Sequence, residues 1–372
     1  MDLAYLHPLY EQTGPWASAY VDLSHHAGDR RAEGGPTALA MARELAAQGA
    51  DEATCRAVRN AVDDLAHSGE PQDRALFARS GEVVLDPLLA RPPRGGGSAQ
   101  WARLPRVAPL LELAGEDPVC VVAYLDRRGA DFELRGAPAG HEEGVLQGWQ
   151  WPVHPTGPAD RSERQFQLRV ENAWEHNAAE IADALAVCQE ETGADLLILV
   201  GDERERRAVH DRLPQRLRDR IVETGHGSGG RLTGEELDRA RAEHVRRRAR
   251  EDLDRFLAAR VPDARGRAGA VEGVPALAEA AREHRIDELL IRPQGPDTRR
   301  EVWIGQEPDR VAVRRAELTA LGTPHAWPAR ADDALLRAAV DAGAPAVCVT
   351  PALRDASADT PSGGLGALLR RR

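Results

Sequence analysis

A short polar segment near the amino terminus concentrates side chains that recognise nucleic acid. The segment SHHAGDRRAEGGPTA follows an apolar stretch and carries His25, His26, Arg30 and Arg31. Arginine pairs with phosphate oxygens, and both guanidinium and imidazole groups stack on unpaired bases. Its glycine and proline content predicts a loop, so these four residues are a candidate RNA-contacting set. A solvated loop without a ligand fits the same composition, and both interpretations stay open.

A second candidate set lies in the middle of the chain, where a Pro/Gly loop precedes a periodic apolar segment. The segment HPTGPADRSERQ carries His154, Arg161, Arg164 and Gln165. Downstream, apolar residues recur at spacings near three and four from Leu168 to Ala186, which predicts a long helix with polar first turns from about Arg161. Arg161 and Arg164 are then either ligand contacts or ordinary surface charges at the start of this helix.

The elements around these two sets predict an α/β fold with an α+β amino-terminal domain. Residues 38–48 and 51–67 read as helices, with Asp51 as the cap of the second, and residues 74–78 and 82–88 read as a hairpin. Further on, the apolar runs 119–125 and 196–200 predict buried strands. Thr233 and Glu236 form a predicted capping box at the start of a long charged helix.

Composition shifts along the chain predict three domains. RPPRGGGSAQ, at residues 91–100, has the composition of a linker, because adjacent prolines and three successive glycines disfavour regular structure. After residue 262 a new pattern begins, with helices at 271–284 and 331–342 and strands at 288–291 and 346–350. The predicted domains are therefore residues 1–100, 101–262 and 263–372, the first including the linker.

Charge and length limit the classes of partner. The 372 residues carry a net charge of -11, and all 49 basic side chains are arginine because the sequence contains no lysine. Arginine favours bidentate contacts with phosphate and carboxylate, so local clusters can meet RNA despite the acidic total. GC-rich coding and helix-surface ion pairs explain the same arginines without RNA. The absence of a signal peptide and of an apolar run of about 18 residues predicts a cytoplasmic protein without a membrane partner.

Other kinds of site find no support in the sequence. It contains no HExxH metal motif, no GxSxG nucleophile motif and no P-loop, so we expect neither a metal nor a cofactor. The glycine-rich stretch at 225–230 lacks the strand-to-helix setting of a phosphate loop. Cys55, Cys120, Cys188 and Cys348 are far apart in apolar runs, which predicts reduced core residues.

Three segments, in order, give the chain a specific resemblance. The segment QFQLRVENAWEHNAAEIADAL, which includes His176 and Asn177, is similar to the helix after the catalytic loop of class-1 release factors. Residues 213–222, a glycine-rich stretch and the helix from Glu235 resemble the end of the middle domain in that family. The terminal GGLGALLR resembles the family's last strand. The chain thus resembles the archaeal and eukaryotic class-1 release factor and Pelota superfamily, and more closely its bacterial relatives, which include the ribosome hibernation factor Balon.

The resemblance implies an architecture. It predicts an amino-terminal α/β domain at the decoding centre, a middle RNase H-like α/β domain at the peptidyl-transferase centre and a carboxy-terminal domain of the ribosomal-protein L7Ae-like type.

The resemblance also indicates which residues hydrolysis would require. Release factors hydrolyse peptidyl-tRNA with a Gly-Gly-Gln loop directly before the middle-domain helix. The corresponding positions here fall near Asp160, Arg161 and Ser162, and no Gly-Gly-Gln is present. Gly157 is the only nearby glycine. We therefore expect no catalytic residue, and a ribosome hibernation factor that occupies the A site without hydrolysing peptidyl-tRNA.

The same resemblance implies contacts and partners. On the peptidyl-transferase side it predicts contacts with ribosomal RNA by His154, Arg161, Ser162, Arg164 and Gln165. On the decoding side it predicts contacts by His25, His26, Arg30 and Arg31. The expected partners are the 70S ribosome, through its 16S and 23S rRNA, and elongation factor Tu as a delivering GTPase. No DNA partner is expected.

Two alternatives remain open at this point. One is an enzyme, a peptidyl-tRNA hydrolase or a release or ribosome-rescue factor, that uses Gln165 or an unrecognised acid and base. The other is an adaptor that has kept the fold and does not bind RNA. The missing loop motif disfavours the enzyme, and nothing in the sequence excludes the adaptor.

Overall fold

The computed structural model is built from helices and sheets throughout, which confirms the predicted α/β class. It forms two compact units, one combining Met1–Gly115 with Ala249–Arg372 and the other comprising Glu116–Arg248. The three predicted domains and their RNase H-like and L7Ae-like types stay predictions. The residues that the structure describes are 1–11, 14–23, 34–68, 72–93, 96–116, 118–126, 129–135, 154–155, 163–169, 174–224, 231–350 and 360–370.

The amino-terminal part of the first unit is organised on a four-stranded antiparallel sheet. Its elements are a 3-10 helix (Ala4–Leu9), β1 (Trp16–Val21), α1 (Gly34–Ala47), α2 (Glu52–His67), β2 (Arg74–Arg79), β3 (Glu82–Leu85), β4 (Ser98–Ala102) and α3 (Leu110–Leu113). The sheet order is β3-β2-β1-β4. α2 begins at the predicted cap, where Asp51 accepts a hydrogen bond from the Thr54 N–H at 2.9 Å. The predicted hairpin is β2-β3, and its turn at Ser80 and Gly81 has positive φ at both residues.

The end of the predicted linker is a strand, so that part of the linker prediction is wrong. Residues 98–100 belong to β4, and Ala99 pairs with Ala19 of β1. Gln48, directly after α1, donates from Nε2 to the Ala99 carbonyl at 3.1 Å. The glycine-rich residues before β4 contain no sign of this pairing, because it depends on the available edge of β1 and on a helix distant in sequence.

The second unit contains one six-stranded mixed sheet. Its elements are β5 (Cys120–Asp126), β6 (Gly129–Arg135), β7 (His154–Pro155), β8 (Glu163–Arg169), α4 (Trp174–Thr192), β9 (Leu196–Val200), α5 (Glu203–His210), α6 (Gln215–Arg218), β10 (Ile221–Thr224) and the first part of α7 (Gly234–Ala259). The strand order is β10-β9-β5-β6-β8-β7, with β10, β9 and β5 parallel and the remaining pairs antiparallel. β5 and β9 are the predicted buried strands.

Residues that alternate along β5 and β9 supply two different cores, because successive side chains of a strand point to opposite faces of the sheet. Val121 and Leu197 pack with Ile181 and Leu185 of α4. Val122 and Ile198 belong to a separate cluster with Leu237 of α7. Helices therefore cover both faces of this sheet, which explains the continuous apolar runs of the two strands.

The long helix predicted from Arg161 begins later than expected. Residues 163–169 are strand β8, antiparallel to β6, and α4 begins at Trp174. QFQLRV alternates between polar and apolar residues, which is the period-two pattern of a strand. Pairing with β6 satisfies the backbone N–H and C=O groups that a helix would have satisfied internally. The spacing of three and four that predicted a helix is realised within α4.

α7 begins as the sequence predicts. The Glu236 carboxylate accepts from the Thr233 backbone N–H at 2.9 Å, and the Thr233 hydroxyl accepts from the Glu236 N–H at 3.4 Å. This reciprocal pair is a capping box. Within the described ranges, no helix has the length and apolar character required to cross a lipid bilayer.

The carboxy-terminal part of the first unit contains two sheets. Its elements after α7 are β11 (Ala270–Glu272), α8 (Val274–Arg282), β12 (Ile286–Ile291), a 3-10 helix (Pro296–Arg299), β13 (Glu301–Ile304), β14 (Val311–Ala312), α9 (Arg315–Ala320), β15 (Trp327–Arg330), α10 (Ala331–Asp341), β16 (Ala346–Cys348), a 3-10 helix (Ser362–Gly364) and β17 (Leu365–Leu369). The strand orders are β11-β17-β12-β16 and β14-β13-β15. The glycine-rich terminal segment is thus an interior strand.

Both parts of the first unit contribute to one hydrophobic core. Phe77 and Leu110 belong to the same buried cluster as Leu289 of β12 and Leu336 of α10. The terminal ammonium of Met1 also donates to the Ala346 carbonyl at 2.9 Å. The two ends of the chain therefore fold as one unit.

Buried charges join the same two parts of this unit. The Arg106 guanidinium lies 2.9 Å from carboxylate oxygens of both Asp332 and Asp333, at the start of α10. Asp333 also accepts from the backbone N–H groups of Val107 and Ala108, each at 3.1 Å. Asp332 is fully buried and Asp333 is 3% exposed, so protein groups replace nearly all of their hydration.

Candidate functional site

Strands β7 and β8 form one edge of the six-stranded sheet and carry three of the residues predicted to contact RNA. His154 of β7 lies opposite Gln167 of β8. On the other side of β8, Arg164 lies opposite Leu134 and Gln165 opposite Glu133 of β6. Arg164 and Gln165 are thus strand residues, and their predicted position in the first turns of a helix is wrong. Their backbone positions are set by pairing with β6.

The other predicted contact residues cannot be placed relative to this edge. Arg161 and Ser162 lie outside the described residues. The same is true of the four residues of the amino-terminal set, His25, His26, Arg30 and Arg31. The structure therefore brings His154, Arg164 and Gln165 to one sheet edge, and the RNA contacts of all nine residues stay predictions.

A buried polar cluster lies beside this edge, on β5 and β6. Glu133, opposite Gln165 in the sheet register, is 1% exposed. Its Oε2 atom accepts from the Tyr124 hydroxyl at 3.0 Å, and its Oε1 atom pairs with Arg135 two residues along the strand. Arg231, just before α7, places Nη1 3.7 Å from Oε2. One buried carboxylate is thus surrounded by a phenol and two guanidinium groups.

The cluster also keeps the Tyr124 phenol protonated. Burial, and then the charge of Glu133 and the hydrogen bond to it, raises the pKa of Tyr124 to about 12, so the phenol stays protonated and donates. The guanidinium of Arg231 also lies 5.3 Å from the centre of the Tyr124 ring, in cation–π range. Two cations and a hydroxyl donor offset the cost of burying the Glu133 charge.

This arrangement is suited to positioning rather than to acid–base chemistry. A general base must reach a substrate proton, and the Glu133 carboxylate is 1% exposed and faces Tyr124 and Arg135. The part of the chain that the structure describes holds no group of three or more side chains arranged to bind a metal ion. The cluster instead fixes strand β6, and β6 holds β8 in register.

Sequence reasoning missed this cluster although a signal was present. The segment ADFELR alternates between apolar and polar residues, which is the pattern of a strand, and its Asp131, Glu133 and Arg135 place polar side chains on one face. The partners Tyr124 and Arg231 are distant in sequence, and only the closure of the sheet and the approach of α7 bring them to Glu133.

Comparison with known proteins covers nearly the whole chain. A family model described as bacterial archaeo-eukaryotic release factor family 2 matches residues 119–262. Two proteins of Mycobacterium tuberculosis, Rv2629 of strain H37Rv and MT2704 of strain CDC 1551, are each 30% identical over 364 residues, which is 96% of this chain and 93% of each relative. The chain belongs to the bacterial archaeo-eukaryotic release factor family. The resemblance inferred from the sequence is thereby confirmed.

Solved structures similar to this release factor family member include Pelota and Dom34. Archaeoglobus fulgidus Pelota is 16% identical, with a TM-score of 0.31 over 82% of this chain and 81% of that chain. Dom34 of S. cerevisiae is 9% identical, with a TM-score of 0.36 over 68% of this chain and 62% of that chain. An archaeal Pelota described as ribosome-bound is 13% identical, with a TM-score of 0.35 over 99% of this chain and 93% of that chain.

Proposed function

We propose that this protein is a ribosome hibernation factor that occupies the ribosomal A site, from the decoding centre to the peptidyl-transferase centre, without hydrolysing peptidyl-tRNA. The observation that carries the proposal is membership of a release factor family in a chain whose sequence contains no Gly-Gly-Gln. Hydrolysis by release factors needs the close backbone approach of two glycines and the glutamine that positions water. A relative without this loop keeps the family fold and lacks those groups.

The edge formed by β7 and β8 supports the middle-domain part of the proposal. His154 and Gln165 lie on adjacent, paired strands, and Arg161 and Ser162 directly precede β8 in sequence. Arginine and glutamine at a sheet edge can contact phosphates and base edges of folded RNA. The buried cluster around Glu133 gives that edge a rigid support through β6.

The composition predicts how such binding depends on salt. Because the net charge is -11, non-specific attraction to RNA is weak and binding relies on a few placed arginines. Affinity should therefore fall with rising salt less steeply than for a strongly basic ribosome-binding protein. A steep slope of the logarithm of affinity against the logarithm of salt concentration, which corresponds to many released counterions, would indicate a different binding mode.

Co-sedimentation with vacant 70S ribosomes, run beside a peptidyl-tRNA hydrolysis assay on the same preparation, tests the proposal. Binding without hydrolysis is the expected result. Binding with hydrolysis would instead identify a peptidyl-tRNA hydrolase or a release or rescue factor, and failure to bind at modest salt would leave the adaptor alternative. Adding elongation factor Tu with GTP in a parallel arm shows whether it increases association.

The double substitution Arg161→Ala and Arg164→Ala tests the assigned edge. If both guanidinium groups pair with ribosomal RNA in a desolvated contact, ribosome association should weaken by roughly 2 to 5 kcal/mol. Arg56→Ala with Arg207→Ala is the matched control, because these arginines are exposed and the change in charge is the same. Equal affinities of the two double variants would exclude the assignment of this edge.

A further inference from the structure

Strand β4 forms one edge of the amino-terminal sheet, and its own sequence does not protect that edge from pairing with another strand. Among the described strands only β1 pairs with it, in a register that runs from Ser98 to Ala102 without a shift. The sequence of β4, SAQWA, contains no charged residue and no proline. Charges, prolines and β-bulges are among the features that keep edge strands from pairing with other chains. The edge of β4 is therefore open to pairing unless another group covers it.

The opposite edge of the same sheet provides a contrast. Its strand, β3, begins with Glu82, which is exposed, and the register between β2 and β3 shifts between Phe77 and Ala78. A charged side chain and an irregular register both oppose the addition of a further strand. Features of β3 itself therefore protect one edge of the sheet, and β4 lacks them.

The side-chain amide of Gln48 covers the β4 edge. Its Nε2 atom donates to the Ala99 carbonyl at 3.1 Å, and its Oε1 atom accepts from the Trp101 backbone N–H at 2.7 Å. In an antiparallel pair, alternate residues direct their backbone groups away from the partner strand, and Ala99 and Trp101 are residues of this kind. A strand added at this edge would need the same carbonyl and the same N–H. The Gln48 amide therefore competes with such a strand for its hydrogen bonds.

The end of helix α1 holds the backbone of Gln48 in place. The N–H groups of Gln48 and Ala50 both donate to the Leu45 carbonyl, at 3.1 and 3.0 Å. Gly49, between them, has a φ of +93°, as is common where a helix ends. Leu45 is fully buried in the same hydrophobic cluster as Ala99 of β4. Because helix and strand share this core, only the side chain of Gln48 has to be ordered to reach the edge.

We infer that Gln48 closes the β4 edge and thereby keeps two copies of this chain from joining through it. The edge is self-complementary, because two β4 strands related by a twofold axis are antiparallel and can exchange backbone hydrogen bonds. Neither copy carries a charge on β4 that would repel the other. Removal of the Gln48 amide therefore allows two chains to pair edge to edge. This property is independent of ribosome binding, and β4 belongs to a different unit from the β7–β8 edge.

Sedimentation velocity of the wild-type protein and of Gln48→Ala, at increasing protein concentration, tests the inference. The average mass of the wild-type protein should stay constant, and that of the variant should rise toward twice the wild-type value. Gln48 is exposed, so its truncation leaves the core contacts of α1 and β4 in place. Gln215→Ala is the matched control, because it truncates another exposed glutamine, at the start of α6, and should sediment as the wild type does.

Hydrogen exchange of the backbone amides identifies the surface through which the variant associates. In dilute Gln48→Ala the Trp101 N–H should exchange faster than in the wild-type protein, because it has lost its acceptor. Its exchange should slow again as the concentration rises and the dimer forms, while the amides of β3 keep their rates. Equal masses of Gln48→Ala and the wild-type protein at every concentration would overturn the inference. Association of the variant without slower exchange at Trp101 would overturn it as well.

Discussion

At the scale of single residues, Asp332 and Asp333 form a pair of adjacent buried carboxylates that share two arginines, Arg106 and Arg330. Burial, and then the neighbouring charge of Asp332, raises the pKa of Asp333 to about 6, while Arg106 and the backbone N–H groups act in the opposite direction. The folded pKa lies above the ordinary value of 3.8, so the protonated Asp333 carboxyl favours the folded state. Its contribution to the free energy of unfolding is fully present below pH 3.8 and is lost as pH rises through about 6.

Asp333→Asn should remove this pH dependence. The amide oxygen can still accept from Val107 and Ala108, but the side chain no longer titrates. Between about pH 7 and pH 4 the wild-type free energy of unfolding should rise relative to that of the variant, because the Asp333 carboxyl binds its proton more tightly in the folded protein than in the unfolded chain. Urea unfolding at both pH values measures it, with exposed Asp287→Asn as the control. Parallel pH profiles for wild type and Asp333→Asn would contradict the assignment.

The tyrosines give a second prediction at this scale. Burial raises the pKa of all four, to about 12 for Tyr5 and Tyr124 and well above 10 for Tyr10 and Tyr20. In the folded protein, phenolate absorbance should therefore be nearly absent at about pH 10. The contribution of the four protonated phenols to the free energy of unfolding is present below about pH 10 and is lost as pH rises through their pKa values in the folded protein. Titration in denaturant is the control, and half-ionised tyrosine in the folded protein near pH 10 would refute the prediction.

At the scale of elements, strand β17 shows why the terminal segment is rich in glycine. A Cβ atom at Gly366 would lie 2.7 Å from two ring carbons of Phe256, the buried aromatic of α7. At Gly364, where φ is +92°, it would lie 2.6 Å from the Cα atom of Gly295. The missing side chains let β17 run between β11 and β12 while α7 and the loop before β13 lie close to it.

Gly366→Ala should therefore destabilise the protein. The added methyl group requires Phe256 or the strand to shift, and overpacking of this kind costs about 1 to 3 kcal/mol. Gly234→Ala is the control, because nothing lies near the position of its Cβ atom. Chemical unfolding measures both variants. Equal free energies of unfolding for the two variants would show that Phe256 and β17 can move apart without loss of stability.

At the scale of the whole molecule, the first unit is built from segments more than a hundred residues apart in sequence. Leu336 of α10 is fully buried in the same cluster as Phe77 and Leu110. Arg106 adds buried ion pairs to Asp332 and Asp333. A substitution in the core of the carboxy-terminal segment should therefore also destabilise the amino-terminal sheet.

Leu336→Ala should reduce the free energy of unfolding by about 2 to 5 kcal/mol. Because the core is shared, hydrogen exchange of the backbone amides of β1 should accelerate together with that of β12. Leu321→Ala makes the same chemical change at a side chain that is 48% exposed and should have little effect. Unchanged protection of β1 in Leu336→Ala would mean that the two segments unfold separately.

Features that depend on neighbouring residues could be predicted from the sequence. The Asp51 cap, the Thr233 and Glu236 capping box and the helix at 331–342 follow from hydrogen bonds and periodicities within a few residues. Of the candidate site, the sequence indicated His154, Arg164 and Gln165 but assigned the last two to a helix. It did not identify Glu133, because its partners Tyr124 and Arg231 come from other elements.

The sequence by itself determined the α/β class, the family, the absence of the hydrolytic tripeptide and the ends of the helices that carry local caps. Tertiary structure alone decided that residues 163–169 and 98–102 are strands, and it decided the interior place of β17. It also assembled the Glu133 cluster. The physical reason is that a strand obtains its hydrogen bonds, and a buried charge its partners, from residues far away in the chain.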